Sequence, residues 1–331
     1  MRHRVVMLAA LPWLLVAIVS VVPAYPGQAS TAGAAAKPSP AKRWVMPRTP
    51  DGQPDLQGVW DFRTATPLER PREFAEQEFL NDQNVAAVER RAAQRLQVFS
   101  PDDPLMNTPP LWLDYGARVV STRRSSLIVD PPDGRVPPMT PEGLTRQTDL
   151  LAARGSPHGP EDMNPWDRCI TRGLPAAMLP GAYNNNLQLV QTPGYVVIIT
   201  EMIHEARIVP IEGRGSLPQN VHAWMGVSRG RWDGGTLVVE TTNFTDRADF
   251  RGAGGKLRLI ERFTRIDDGT IEYRLTVEDS TTWTRPWTVA FPIVKNDQPI
   301  YEYACHEANY SLQNILSIAR AAESAGAAEQ R

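Results

Sequence analysis

From residue 186 onward, hydrophobic and polar positions alternate with a period of two, the mark of strands that bury one face. The clearest case sets Ile271, Tyr273, Leu275 and Val277 against Glu272, Arg274 and Thr276. The same pattern predicts strands over 187–192, 195–202, 206–211, 225–232, 236–242, 257–266, 271–279, 287–294 and 299–305. Asp233-Gly234-Gly235 and Asp267-Asp268-Gly269 supply tight turns between them. A run of about nine antiparallel strands joined by short turns tends to close on itself, because closure removes exposed edges. The expected fold class is mainly β: an antiparallel up-and-down barrel or strongly bent sheet, lipocalin-like in general shape, with a β-sandwich as the alternative. A helix over 309–325 closes the chain.

The first half follows a different pattern. Gly58 to Phe62 can form a short first strand. Residues 71–98 read as helical: Asn81 or Asp82 can cap a helix with Val85, Val88, Ala92 and Leu96 on one face. Glu89, Arg90, Arg91 and Arg95 form its wet face. Residues 100–186 read as irregular and Pro-rich, with one hairpin, in which 126–130 turns through Pro131-Pro132-Asp133-Gly134 into 135–137. Thirty prolines favour stiff ordered loops over helices.

The N-terminus reads as an export signal. A basic start, Met1-Arg2-His3-Arg4, precedes an apolar run over 5–22, and Gly27 and Ala29 stand at the right offset for cleavage before Ser30. An uncleaved membrane anchor is the alternative, since about 18 residues can just span a bilayer. Pro23, Pro26 and the small residues favour cleavage, leaving no stable membrane span. The expected organisation is a signal peptide (1–29), a flexible linker (30–43), a helix plus Pro-rich cover segment (44–186), and a β-barrel-like domain with its C-terminal helix (187–325). The protein is expected in the periplasm or outside the cell.

Composition narrows the partners. A net charge of −2 gives no sign of nucleic acid or an anionic membrane. No Gly-rich phosphate loop, G-x-S-x-G, H-E-x-x-H or C-x-x-C is present. No cofactor is expected, since nicotinamides are not stocked outside the cytoplasm. In an oxidising compartment Cys169 and Cys305 read as a disulfide. Closing a loop of this length stabilises by roughly 4–5 kcal/mol in the chain-entropy model. The alternative is a thiol nucleophile, with His306 beside Cys305.

Several segments carry a resemblance. Thr49-Pro50-Asp51-Gly52 and Pro54-Asp55-Leu56, with Gly58-Val59-Trp60, form the first. Others are Tyr183-Asn184-Asn185-Asn186, Ser228-Arg229-Gly230-Arg231-Trp232 through Asn243-Phe244, and Glu302-Tyr303-Ala304-Cys305-His306-Glu307. Together they resemble a family of exported proteins common in soil bacteria. The resemblance implies export and brings no particular reaction or cofactor.

Four clusters can carry chemistry. Glu201, three residues before His204, shares a strand face with Val197 and Ile199, the apolar setting a general acid needs, unless it pairs with Arg207 at the barrel rim. Glu302 and His306 share a strand face with Ala304 and could form an acid–base pair. Trp283, Arg285 and Trp287 alternate on one face, an aromatic cleft with a cationic centre suited to a planar anionic or aromatic ligand. Tyr183, Asn184, Asn185 and Asn186 could line a polar pocket mouth or donate to an oxyanion. His204, His222, His306 and a Glu could supply a metal site, but their spacings match no signature.

The function expected is an exported small-molecule enzyme, a lyase, isomerase or hydrolase. Glu201, His204, Glu302 and His306 would be catalytic. Arg285, Trp283, Trp287, Tyr183, Asn185 and Tyr303 would bind an aromatic or apolar substrate in a central pocket. The alternative is a carrier or sensor for such a ligand.

Overall fold

The computed structural model describes residues 44–95, 113–212, 217–218, 220–248, 250–307 and 309–329. The signal peptide and linker expected over 1–43 lie outside the described residues, as does Leu96. Among the described residues, no helix is long and apolar enough to cross a membrane.

The fold is mainly antiparallel β, a nearly closed barrel-shaped sheet with a C-terminal helix. Its ten strands are β1 (Gly58–Asp61), β2 (Ile128–Asp130), β3 (Asn186–Thr192), β4 (Tyr195–Thr200), β5 (Ala206–Pro210), β6 (Val227–Asp233), β7 (Thr236–Thr242), β8 (Arg258–Arg265), β9 (Thr270–Glu278) and β10 (Trp287–Asn296). The described helices are α1 (Asp82–Arg95), α2 (Pro141–Gly155) and α3 (Tyr310–Glu329).

Going around the sheet, the order is β5-β4-β3-β1-β10-β9-β8-β7-β6, with β2 attached to β10. Two consecutive-hairpin runs, β3 to β5 and β6 to β10, are joined by β1, which pairs antiparallel with both neighbours: Trp60 lies opposite Leu187 on one side and Lys295 on the other. The segment read as a cover thus supplies a barrel strand. The two ends of the order meet at a parallel bridge between Ile211 and Gly230. A Cβ at Gly230 would stand 2.6 Å from Ile211 Cδ1 and 3.0 Å from Val209 Cγ1, so the absence of a side chain lets β5 and β6 approach.

Three local expectations are corrected. The 126–137 hairpin does not form: Pro131 to Gly134 do turn, but β2 pairs with β10, Ile128 opposite Val289. The 100–186 region holds α2, which starts with Pro141 at its first position and Thr140 accepting from the Gly143 N–H at 3.0 Å. Finally, 299–305 is not a strand. Its Tyr301 N–H goes to the Glu201 carboxylate, and Cys305 is tied elsewhere.

Among the described residues, the barrel interior around Phe263 and Tyr273 is packed. Leu259, Phe263, Tyr273, Leu275 and Val277 have no solvent exposure, which leaves no water-sized void beside them. Phe263, Tyr273 and Phe291 pack in sequence, tilted and then edge to face, with centroids 4.9 and 5.3 Å apart. Among them lies a buried ion pair. Arg207 donates to both Glu261 oxygens, at 2.5 and 2.9 Å, and the Tyr273 hydroxyl donates to the same carboxylate at 2.9 Å. Burial works against the Arg207 charge, but Glu261 outweighs it and holds the guanidinium above its ordinary value. The Tyr273 phenol is pushed well up, first by burial and then by the Glu261 charge, against the pull of Arg207.

Arg207→Met alone strands a buried carboxylate and is expected to cost about 3–5 kcal/mol in urea unfolding. Adding Glu261→Leu should recover most of that loss, and a single variant as stable as wild type would show the pair to be uncoupled. The tyrosine gives a pH signature. Above about pH 10 an unfolded tyrosine loses its proton while folded Tyr273 keeps it, so stability present below pH 10 falls as pH rises further. Tyr273→Phe should flatten that alkaline decline in a pH series of unfolding curves.

Candidate functional site

Two adjoining cavities open at the barrel rim where β1 ends, β3 begins and β4 ends. The smaller, about 260 Å³, is bordered by Phe62, Tyr115, Arg172, Asn185 and Met202. The larger, about 720 Å³, is bordered by Asp167, Glu302, Ala304, Cys305, Glu307 and Asn309. Trp166, Tyr183 and Asn184 line both.

Local chemistry fixes each wall. Asn164 accepts from the Asp167 N–H at 2.8 Å and starts a tight turn in which Cys169 N–H reaches the Trp166 carbonyl at 2.9 Å. Cys169 is bonded to Cys305, 136 residues away, with Cα atoms 5.6 Å apart. Asn309 donates to the Asp167 carbonyl at 3.1 Å, so the start of α3 is pinned to the same turn. On the other side the Asn185 amide accepts from Gly181 N–H at 2.6 Å and donates to the Asp114 carbonyl at 2.8 Å. That clamp presents Tyr183 and Asn184 to the cleft.

The aromatic groups converge. Tyr183 and Tyr303 are within 9° of parallel with centroids 6.2 Å apart, and Trp166 lies 6.4 Å from Tyr183. Trp166 Nε1 donates to the Tyr303 hydroxyl at 3.3 Å. The Arg172 guanidinium sits 4.0 Å above the Trp166 ring. Among the described residues Arg172 makes no hydrogen bond and no ion pair. Burial lowers the Arg172 pKa, against the smaller pull of Tyr183, Tyr303 and Asp167. Burial raises the Asp167 carboxyl, opposed by Arg154 and Arg172. Tyr183 is raised by burial and by its hydrogen bond to Tyr303.

Of the residues expected from the sequence, Tyr183, Asn185, Tyr303 and Glu302 border this cleft, though Asn185 is buried and spends its amide on the backbone. Glu201, His306, Trp283, Arg285 and Trp287 are not part of its lining. Glu201 is buried, but the chain leaves the strand there, so the strand-face argument fails. Its carboxylate accepts from the Asn186 amide at 2.8 Å and the Tyr301 N–H at 3.1 Å, and not from Arg207. His204 ends a 3-10 turn, and its side chain lies outside the described residues. Glu302 and His306 share no strand face, because no strand forms, and His306 is exposed away from the lining.

Trp283, Arg285 and Trp287 are likewise split. The chain turns at Asp279, whose carbonyl accepts from Trp283 N–H, so alternation does not apply. Both tryptophans are buried and pack edge to face at 5.7 Å. Arg285 points outward to Asp130 at 2.8 Å. It precedes β10, whose far end, Asn296, bonds Asn186 near Glu201. The length of β10, roughly 30 Å, therefore separates Arg285 from Glu201. Among the described residues, no three His, Cys, Asp or Glu side chains are grouped to hold a metal.

Sequence reasoning missed Trp166, Asp167 and Arg172. The available signal was their closeness to Cys169: any group within three residues of a bridging cysteine is carried to the bridge. Compared with models of protein families, with curated proteins and with solved structures, the chain matches none.

Opening the Cys169–Cys305 bond frees a long loop and is expected to cost about 5 kcal/mol in the chain-entropy model. The Cys169→Ser/Cys305→Ser protein should show a lower urea midpoint and a weaker near-ultraviolet circular dichroism signal from the Trp166–Tyr183–Tyr303 group. An unchanged midpoint would show the bond to be dispensable.

Proposed function

We propose that the protein is an exported carrier or sensor that binds a small aromatic ligand in the cleft beside the disulfide. The observation that supports this most directly is the shared border of Trp166, Tyr183 and Asn184 between two open cavities. Aromatic walls with a few polar groups are the usual make-up of small-molecule sites. Of the acid–base residues expected from the sequence, Glu302 borders the cleft, while Glu201 and His306 are not part of its lining. Export is supported by the N-terminal leader pattern and by the Cys169–Cys305 bond, which suits an oxidising compartment. A second reading keeps catalysis at the same place: Asp167, raised by burial, and Glu302 both border the larger cavity and could exchange protons with a bound substrate.

Purification from the periplasm and mass spectrometry should yield a bound aromatic compound, recovered unchanged after re-incubation with fresh protein. Trp166→Ala and Tyr303→Ala should each weaken its binding by roughly tenfold. Conversion of the compound, abolished in Asp167→Asn, would favour the catalytic reading. Binding indifferent to both aromatic variants would remove the cleft from consideration.

A further inference from the structure

We infer that the cleft is selective for a ligand bearing a carboxylate, which docks on Arg172 while its ring lies against Trp166 and Tyr183. The inference rests on the reading of the cleft as a ligand site and adds the ligand's charge. Among the described residues bordering the smaller cavity, Arg172 is the single charged side chain. It is half-buried, stacked 4.0 Å over Trp166, and without hydrogen bond or ion pair among the described residues.

By contrast, the three buried arginines among the described residues have acceptors. Arg207 is buried and takes both oxygens of Glu261. Arg265 spends its guanidinium on three backbone carbonyls, those of Asp55, Asp267 and Asp268. Arg70 reaches the carbonyls of Ala75 and Pro132. A guanidinium presents five donors in a planar fork that matches a carboxylate, and at Arg172 that fork has no protein acceptor among the described residues. An incoming carboxylate would supply the acceptors.

The surroundings agree with an aromatic acid of modest size. About 260 Å³ exceeds the roughly 150 Å³ that accommodates a benzene ring. Phe62, Tyr115 and Met202 give apolar walls, and Tyr183 a flat one. The nearest acid in play is Asp167, close enough to interact with Arg172 but beyond ion-pair reach. Glu302 and Glu307 border only the larger cavity and are exposed, where water and salt screen them.

Three probes with one ring and one chain length separate charge from stacking: 3-phenylpropionate, 3-phenylpropan-1-ol and 3-phenylpropylamine, titrated calorimetrically into the oxidised full chain at neutral pH. The acid should bind about tenfold tighter than the alcohol, and the amine no better than the alcohol. In Arg172→Gln the acid should fall to the affinity of the alcohol, while the alcohol binds within about twofold of wild type, which also shows that the cleft is intact. Arg172→Lys should keep part of the preference. Equal binding of acid and alcohol, or a preference that survives Arg172→Gln, overturns the charge assignment and leaves the cleft as a site. No binding by any of the three overturns both.

Discussion

The Arg207–Glu261 pair lies inside a ring of apolar strands, and much of the molecule's layout follows from it. Two opposite charges in a dry interior are tolerable only if they meet face to face and share their remaining hydrogen bonds. Tyr273 provides one of these, and Phe263 and Phe291 pack around it. The strands β5, β8 and β9 are thereby held by a directional contact as well as by apolar burial. The same pair fills the volume that a lipocalin-shaped protein would keep for a ligand.

The rim cleft answers that constraint. Its walls come from loops, not strands, so they need external bracing. On one wall Asn185 does this locally through its amide. On the other, the bond between Cys169 and Cys305 and the Asn309 contact draw in a segment with no sheet partners of its own. Tyr303 reaches Tyr183 and Trp166 because Cys305, two residues on, is anchored.

Much of the fold was legible in the sequence because period-two alternation is enforced wherever one strand face is buried. The strands from β3 to β10 were placed within a few residues. The errors fall where alternation carries no information. Glu201 and Trp283 sit at points where the chain leaves extended geometry, so arguments about shared faces lapse there. The strand expected over 299–305 failed because its apolar residues respond to a disulfide and to Glu201. Helix α2 was hidden by the prolines around it, one of which, Pro141, starts it. The disulfide, read from compartment and count, is present. For the site, Tyr183 and Tyr303 were legible as unusual aromatic and amide clusters, and Arg172 was not. An arginine announces itself by its charge, whereas the lack of a partner is a property of three-dimensional space.

The position of β1 also bears on how such a chain reaches its final form. Val59 pairs with Asn296, and the barrel wall has a gap until the two meet. Contacts this distant in sequence are costly in loop closure and form late. No N-terminal portion that stops short of β10 can seal the wall, so a growing or threading chain keeps an open edge at β1 until nearly all of it is free.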